Sequence, residues 1–309
     1  MLGTNGATAY NAATGIINVD GTGAKGIIGT NDANIINDGI VNVNGAGSQG
    51  IYIERGATLT NTGQINVNGD GKIGVFIGMG SSFVNTAGIT ISSGGTVVFD
   101  GGGTLANIGD IVIDGPNATI NGITINNTGK IEITGSLDFT GNILLETTPG
   151  KAGTINVGGL SGTGHIILSP DATLGNNYDM HHVQLLGGLS NPETETIRVT
   201  SQSVSFIAEK YFDKDLNSYV LTLTRIPYAQ MLKNTEAVEF GKGLDELYTK
   251  GPGDTEMDMF DAIKSISDKD ELAETFDMQL RGNVYANIQQ RMKDVGGVLD
   301  TAYSQLKRE

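Results

Sequence analysis

The stretch NDGIVNV at residues 37–43 decides the fold, because close variants of it recur along the first half of the chain. Each copy begins with a turn of small or polar residues and continues into a short apolar run. The variants are ATGIINV at 13–19, NTGQINV at 61–67, NTAGITI at 85–91, NIGDIVI at 107–113 and NTGKIEI at 127–133. The copies follow at steps of 24 residues, and the last two steps are 22 and 20. A repeat of this length is typical of a solenoid.

Apolar residues alternate within each copy, which is the pattern of a strand with one buried face. The positions predicted to face inward are Ile17, Val41, Ile65, Ile89, Ile111 and Ile131, together with Val19, Val43, Val67, Ile91, Ile113 and Ile133. The residues between them are predicted to face outward and are mostly polar: Asn18, Asn42, Asn66, Thr90, Val112 and Glu132.

The rest of each period fits two more strands, because Ile27, Ile51 and Val75 align, as do Ile35, Leu59, Phe83 and Leu105. The sequence therefore predicts a mainly β protein: a right-handed parallel β-helix with three-strand coils of about 24 residues, followed by a small α-helical C-terminal segment. At about 4.8 Å per coil, some nine coils over residues 1–225 would form a rod of about 40–45 Å.

Three segments are expected from the way the pattern changes. Residues 1–140 carry the regular coils. Residues 141–225 carry irregular coils and a closing hairpin, with strands near 204–207 and 219–224. Residues 226–309 form an acidic helical linker, with helices near 228–249 and 254–266, another beginning at Ser267 as its N-cap, and a last one at about 282–307.

Composition and charge exclude several classes of partner. The chain has 309 residues, 46 of them Gly, with no Cys and a formal net charge of −15. Such a charge repels phosphate, so we expect no binding of nucleic acid or of anionic membranes. Residues 1–5 offer no basic and apolar leader, and no run of about 18 apolar residues is present, so neither an export signal nor a membrane span is expected in this sequence.

Asparagine recurs at one corner of the predicted coil. The positions are Asn37, Asn61, Asn85, Asn107 and Asn127. Their amides could stack as a ladder and satisfy the backbone groups of the turns. The alternative is glycan attachment, since Asn117 and Asn126 each begin a formal Asn-x-Thr motif.

Catalytic and metal sites find little support in the sequence. Some β-solenoids act on polysaccharides through paired carboxylates, but Asp110 and Asp114 on one strand would lie about 13 Å apart. Residues 68–71, NGDG, resemble a calcium loop with too few carboxylates, and adjacent His181 and His182 would point in opposite directions. We therefore expect no enzyme, no metal and no cofactor.

Two aromatic residues, Tyr52 and Phe76, occupy aligned outward positions one coil apart. Such an exposed strip could stack on a glycan or contact a partner protein. The alternative is a plain solvent-exposed position. On the binding interpretation, replacing both residues by alanine would weaken binding without lowering thermal stability.

Near the C-terminus the stretch LRGNVYANIQ occupies residues 280–289, after a solenoid rich in Gly, Asn and Thr and a closing hairpin. This arrangement resembles the passenger of a bacterial type V autotransporter, and most of all the large fusobacterial outer-membrane adhesins. The resemblance implies that Leu280, Gly282, Tyr285 and Ala286 belong to a helix that enters the outer-membrane β-barrel translocator of the same polypeptide. It also implies that residues 140–225 correspond to the autochaperone region. Asn283 departs from the pattern, because many members carry an acid there.

The functional expectation is a cell-surface adhesin passenger stem. It would be a rigid spacer that presents a distal binding region and assists its own secretion by folding outside the cell. Its partner would be a protein or glycan on a host or bacterial surface. Two alternatives stay open: a polysaccharide-acting β-helix enzyme and a self-associating surface-layer protein.

Overall fold

A computed structural model describes residues 1–68, 73–92, 97–114, 117–146, 153–169, 183–187, 196–215, 218–233, 238–250, 259–260, 262–263 and 265–276. The contacts divide the chain into two compact units. The first comprises Met1–Gln202 and Phe206–Thr224, and the second comprises Ser203–Ser205 and Arg225–Glu309. The described part of the first unit is built of strands, and that of the second contains all the helices described below.

Six coils in the described part of the first unit are each built of three strands, here called the first, second and third strand in chain order. The first strands of these coils are β1 (Leu2–Thr4), β4 (Lys25–Thr30), β7 (Gln49–Ile53), β10 (Ile73–Ile77), β13 (Val97–Asp100) and β16 (Asn117–Asn121). The second strands are β2 (Thr8–Asn11), β5 (Asn34–Asn37), β8 (Thr58–Asn61), β11 (Ser82–Asn85), β14 (Thr104–Asn107) and β17 (Thr124–Asn127). The third strands are β3 (Ile16–Val19), β6 (Ile40–Val43), β9 (Gln64–Asn68), β12 (Gly88–Ser92), β15 (Asp110–Ile113) and the start of β18 (Lys130–Phe139).

Equivalent strands of successive coils pair in parallel, and the register agrees with the sequence repeat. Ile17 pairs with Val41, Val41 with Ile65 and Ile65 with Ile89. The second strands form a nine-stranded sheet, in the order β2, β5, β8, β11, β14, β17, β19 (Asn142–Glu146), β21 (His165–Ser169) and β23 (Arg198–Ser201). The predicted mainly β solenoid with coils of about 24 residues is therefore confirmed.

The core lies between the sheets as columns of stacked side chains. One column, on the second strands, contains Ile35, Leu59, Phe83, Leu105 and Ile125, each at most 1% exposed. Every residue of this column packs against its equivalents in the coils on either side, so no coil covers its own apolar surface alone. Burial of a side chain of this size contributes about 1.5–3 kcal/mol.

The coil loses one of its corners as the repeat shortens. Strand β18 runs without a break from a third-strand position, where it pairs with β15, to a first-strand position, where it pairs with β16. Strand β20 (Thr154–Gly162) follows the same path and pairs with β18 across a register shift between Ile133 and Ser136. First and third strands thereby join into one thirteen-stranded sheet.

The solenoid has about six turns of about 24 residues, and the parallel stack of second strands continues beyond them through β19, β21 and β23. Three of the described strands beyond β21 lie outside this parallel stack. Strands β22 (Val183–Gly187), β25 (Ser218–Arg225) and β24 (Phe206–Asp213) form a separate three-stranded sheet in this order, and β22 and β25 are antiparallel. The predicted closing hairpin corresponds to β24 and β25. Leu221 and Leu223 of β25 belong to the same apolar core cluster as the coils.

The second unit contains α1 (Tyr228–Met231), α2 (Val238–Lys250) and α3 (Lys269–Thr275). Its described residues bury an apolar set of their own: Tyr228, Leu232, Leu244, Tyr248, Phe260, Ile263, Leu272 and Phe276. Ser267 is not the N-cap of α3, because Asp268 accepts the backbone N–H groups of Asp270 and Glu271 at 2.7 and 3.1 Å. Among the described residues, no helix has the length and apolar character that a membrane crossing requires.

Candidate functional surfaces

The corner asparagines form a continuous ladder inside the first unit. Each Nδ2 donates to the Oδ1 of the asparagine in the next coil, over distances of 2.6–2.9 Å. The ladder includes the five predicted residues and begins one coil earlier, at Asn11. The five predicted asparagines are completely buried, and Asn11 is 7% exposed.

The second proton of these amides serves the turns. Asn37, Asn61, Asn85 and Asn127 each donate to the carbonyl oxygen two residues further on, at 3.0–3.3 Å. A side-chain amide has two donors, so both are used for hydrogen bonds that fix the corner. A buried polar group is costly when it has no hydrogen-bond partner. Because these amide donors are paired, asparagine can occupy a fully buried column.

Two shorter ladders lie on the outside of the coils, one at the predicted outward positions of the third strands and one where these strands end. In the first ladder Asn42 donates to Asn18 and Asn66 donates to Asn42, each at 2.9 Å. In the second, Asn44 donates to Asp20 at 2.9 Å and Asn68 donates to Asn44 at 3.0 Å. The sequence could have indicated both ladders, because their residues are separated by the same step of 24 residues.

Tyr52 and Phe76 are neighbours, but their geometry differs from that of an open aromatic strip. Their rings stack with centroids 4.7 Å apart and an angle of 9° between the planes. The other face of Tyr52 is occupied by Lys25, whose Nζ lies 3.3 Å from the ring centroid. The Tyr52 hydroxyl donates to Glu54 at 2.8 Å, and this hydrogen bond raises the pKa of Tyr52. A sugar ring could therefore not stack on Tyr52 without displacing Lys25 or Phe76.

The same outward row extends to the start of the solenoid. Strand pairing aligns Leu2 with Ile28 and Ile28 with Tyr52, and after Phe76 the row continues with Asp100. Leu2 is 64% exposed, whereas the next three residues are half-buried. The row is therefore apolar over four coils and partly covered by its own neighbours.

A neighbouring coil brings a lysine to the carboxylates that were considered as a catalytic pair. Lys130 lies beside Asp110 in the strand pairing and forms a salt bridge with Glu132. Its hydrogen bond to Glu132 raises the pKa of Lys130, so the amine stays protonated and is a poor general base. Asp114 accepts a hydrogen bond from Thr134 at 3.1 Å.

Some of the predicted site residues lie outside the described part of the chain. They are the pore-helix residues Leu280, Gly282, Tyr285 and Ala286, the pair His181 and His182, and residues 69–71 of the calcium-like loop. Within the described ranges, no cluster of three or more His, Asp or Glu side chains could hold a metal ion.

The helical unit contains a half-buried ion pair that sequence reasoning missed. Arg225 and Asp245 are 2.7 Å apart, and Asp245 also accepts the backbone N–H groups of Tyr228 and Ala229 at 3.0 Å. The Arg225 guanidinium lies 4.6 Å from the ring centroid of Tyr248 and 5.3 Å from that of Tyr228. Burial raises the pKa of Tyr228. Asp245 thus caps the start of α1 from α2, a structural role that spacing in the sequence could not reveal.

Comparison of the chain with protein-family models, curated proteins and solved structures finds no match.

Proposed function

We propose that the solenoid is the stem of a cell-surface adhesin. It acts as a rigid spacer that holds a distal binding region away from the cell, where that region meets a protein or glycan of a host or bacterial surface. The observation that carries the proposal is the buried asparagine ladder, which links six successive coils through five side-chain hydrogen bonds.

The ladder supports a spacer because it acts along the direction in which the coils stack. Backbone pairing already holds each strand to the next, and the amides add a second line of hydrogen bonds at the corner. Bending the solenoid at any coil would stretch both sets and open the apolar columns beside them. A stack of such layers resists bending over its whole length, which a spacer requires.

Secretion is the second part of the proposal. The three-stranded sheet supplies Leu221 and Leu223 to the core cluster of the coils, so this end offers a ready template on which further coils can fold. Folding of this end outside the cell would prevent the chain from sliding back and would help to draw the rest of it across the outer membrane.

A reach experiment tests the spacer role. The chain is fixed to a surface by its C-terminal end, carries a small epitope at its N-terminal end, and stands within a polymer brush of known height. One coil is added by repeating residues 42–65, or removed by deleting them. Capture of antibody-coated beads should increase with each added coil and decrease with each removed coil. Capture that does not depend on coil number would refute the spacer role.

A further inference from the structure

The outer face of the nine-stranded sheet is unusual for so acidic a protein. Two rows of outward residues run along the whole solenoid on this sheet, and the longer strands β19 and β21 add one outward position each, at Glu146 and Ser169. The first row is Thr8, Asn34, Thr58, Ser82, Thr104, Thr124, Asn142, His165 and Arg198. The second row is Tyr10, Ile36, Thr60, Val84, Ala106, Asn126, Leu144, Ile167 and Thr200.

No side chain with a formal charge at pH 7 occurs in either row until Arg198, on the last strand. The other strands are different. Outward positions on the first strands include Asp100, and those on the third strands include Asp110, Lys130 and Glu132. The net charge of −15 is therefore carried by other parts of the chain. We call the two rows from β2 to β21 the neutral face.

The neutral face combines a polar row with an apolar one. Neighbours in the first row bond to each other, as Thr58 does to Asn34 at 3.2 Å and Asn142 to Thr124 at 3.4 Å. The second row is half-buried at Ile36, Val84 and Ile167, and Tyr10 is 55% exposed at its end. At the corner beside this end, Asp38 accepts a hydrogen bond from the Tyr10 hydroxyl at 2.7 Å. An apolar row with a polar border is typical of a contact surface.

We propose that the neutral face binds the neutral face of a second copy of this chain. Two molecules that each carry 15 excess negative charges repel each other, and the repulsion is weakest where no charge faces the partner. A neutral surface offers no attraction to a charged ligand. A flat array with the spacing of a parallel sheet is complemented by a second array with that spacing, so that two sheets pack face to face at about 10 Å.

The area of the face sets the strength of the contact. Eight strands spaced by about 4.8 Å span ~34 Å, and four residues per strand span ~13 Å, which gives ~440 Å² per molecule. A stable interface covers about 800 Å² per partner. The pair is therefore weak and reversible in dilute solution, and it becomes appreciable where many copies stand side by side, as at a surface.

Sedimentation of the full chain over a range of concentrations tests the proposal. We expect reversible dimers, favoured by added salt because salt screens the repulsion between the acidic molecules. Val84→Glu places a charge in the middle of the neutral face and should reduce association at least tenfold. The matched control is Thr90→Glu, which adds the same charge to a half-buried outward site on the third strand of the same coil and should leave association unchanged. Melting curves establish that both variants fold.

Cysteine cross-linking provides a second measurement that does not depend on those variants, because the chain has no cysteine of its own. Thr60→Cys lies on the neutral face, and Asn66→Cys lies on the third strand of the same coil. A short bis-maleimide should link copies of the first variant and not of the second. The proposal is overturned by a monomer at every concentration and salt level, by equal association of the two glutamate variants, or by equal cross-linking at the two cysteines.

Discussion

At the scale of single residues, the asparagine ladder is the feature most sensitive to substitution. Asn61 accepts from Asn37 and donates to Asn85 and to the Gly63 carbonyl, and no part of it is exposed. Asn61→Ala removes all three bonds and leaves buried partners unpaired. Since each unpaired buried group costs about 1–3 kcal/mol, we expect the free energy of unfolding to fall by at least ~2 kcal/mol.

Urea denaturation measures this loss, and Asn66→Ala is the matched control. Asn66 belongs to an outer ladder of the same coil and is half-buried, so its partners can turn to water. Its replacement should cost about 0.5 kcal/mol. Equal losses for the two variants would contradict the role assigned to the buried ladder.

His165 links the stability of the later coils to pH. Its Nε2 lies 2.7 Å from the Thr200 hydroxyl, and its Nδ1 lies 3.0 Å from the Arg198 guanidinium, which donates to it. Burial, and then the charge of Arg198, lower the pKa of His165 below its usual 6.5. The folded state therefore disfavours protonation, and its stability is complete above pH 6.5 and declines as the pH falls below that value.

The prediction is a decrease in melting temperature between about pH 7.5 and pH 5.5 that is larger for the wild type than for His165→Gln. Glutamine can accept from Arg198 and donate to Thr200, but it does not titrate in this range. The difference between the two proteins isolates the histidine from the carboxylates, which titrate in both. Identical pH profiles would show that the histidine contributes nothing.

The sequence predicted the asparagine column well and the aromatic pair only in part. Asn11 was missed because the first corner is two residues longer, so the repeat aligned Ala13 where the ladder has Asn11. The alignment placed Tyr52 beside Phe76 correctly. The position of Lys25 over the Tyr52 ring, however, depends on the side-chain conformations of two coils, which a repeat does not specify. Because both rings are half-buried, the prediction that replacing them leaves thermal stability unchanged has lost its basis.

At the scale of elements, the hairpin of β24 and β25 is expected to protect the coils before it. Deletion of residues 204–224 removes Phe206, Leu221 and Leu223 from the core cluster. The last coils then lose the cover of their apolar interior, so limited proteolysis should cut residues 1–169 faster than in the intact chain. Coils that stay as resistant as before would disprove both this protection and the folding role proposed for the hairpin.

Two single substitutions distinguish the loss of buried apolar side chains from the effect of shortening the chain. Leu223 is completely buried, and Leu223→Ala should cost about 2–5 kcal/mol and increase cleavage. Ile207 lies on the partner strand and is 48% exposed. Ile207→Ala should therefore leave the cleavage rate close to that of the wild type.

The limits of sequence reasoning at this scale follow from the corners of the coil. Inward positions could be predicted because alternation is a property of single strands. The merging of first and third strands through β18 could not, because residues 134–136 continue a strand where the earlier coils have a turn, and either path satisfies the same apolar pattern. A short polar stretch carries little information about whether the chain forms a turn there or continues as a strand.

At the scale of the whole molecule, the solenoid is a set of nearly interchangeable layers, and its register is set by alternation in each strand. Deleting residues 42–65 joins Val41 to Asn66, so that inward and outward positions continue unchanged from β6 into β9. Asn37 would then face Asn85 in the ladder. We expect this variant to fold and to keep a cooperative unfolding transition in urea, with one layer of about 4.8 Å removed from the solenoid.

The matched control removes one residue fewer. Deleting residues 42–64 joins Val41 to Ile65, which turns Ile65 outward and points Asn66 into the core for the rest of that strand. A shift of one residue in a strand therefore exposes apolar side chains and buries an amide, although nearly the same number of residues has been lost. This control should lose its cooperative unfolding transition, because the fault lies in the middle of the stack and interrupts the contacts of the coils on both sides. If both deletions fold equally well, the corners absorb errors of register, and alternation within the strands is not what aligns the coils.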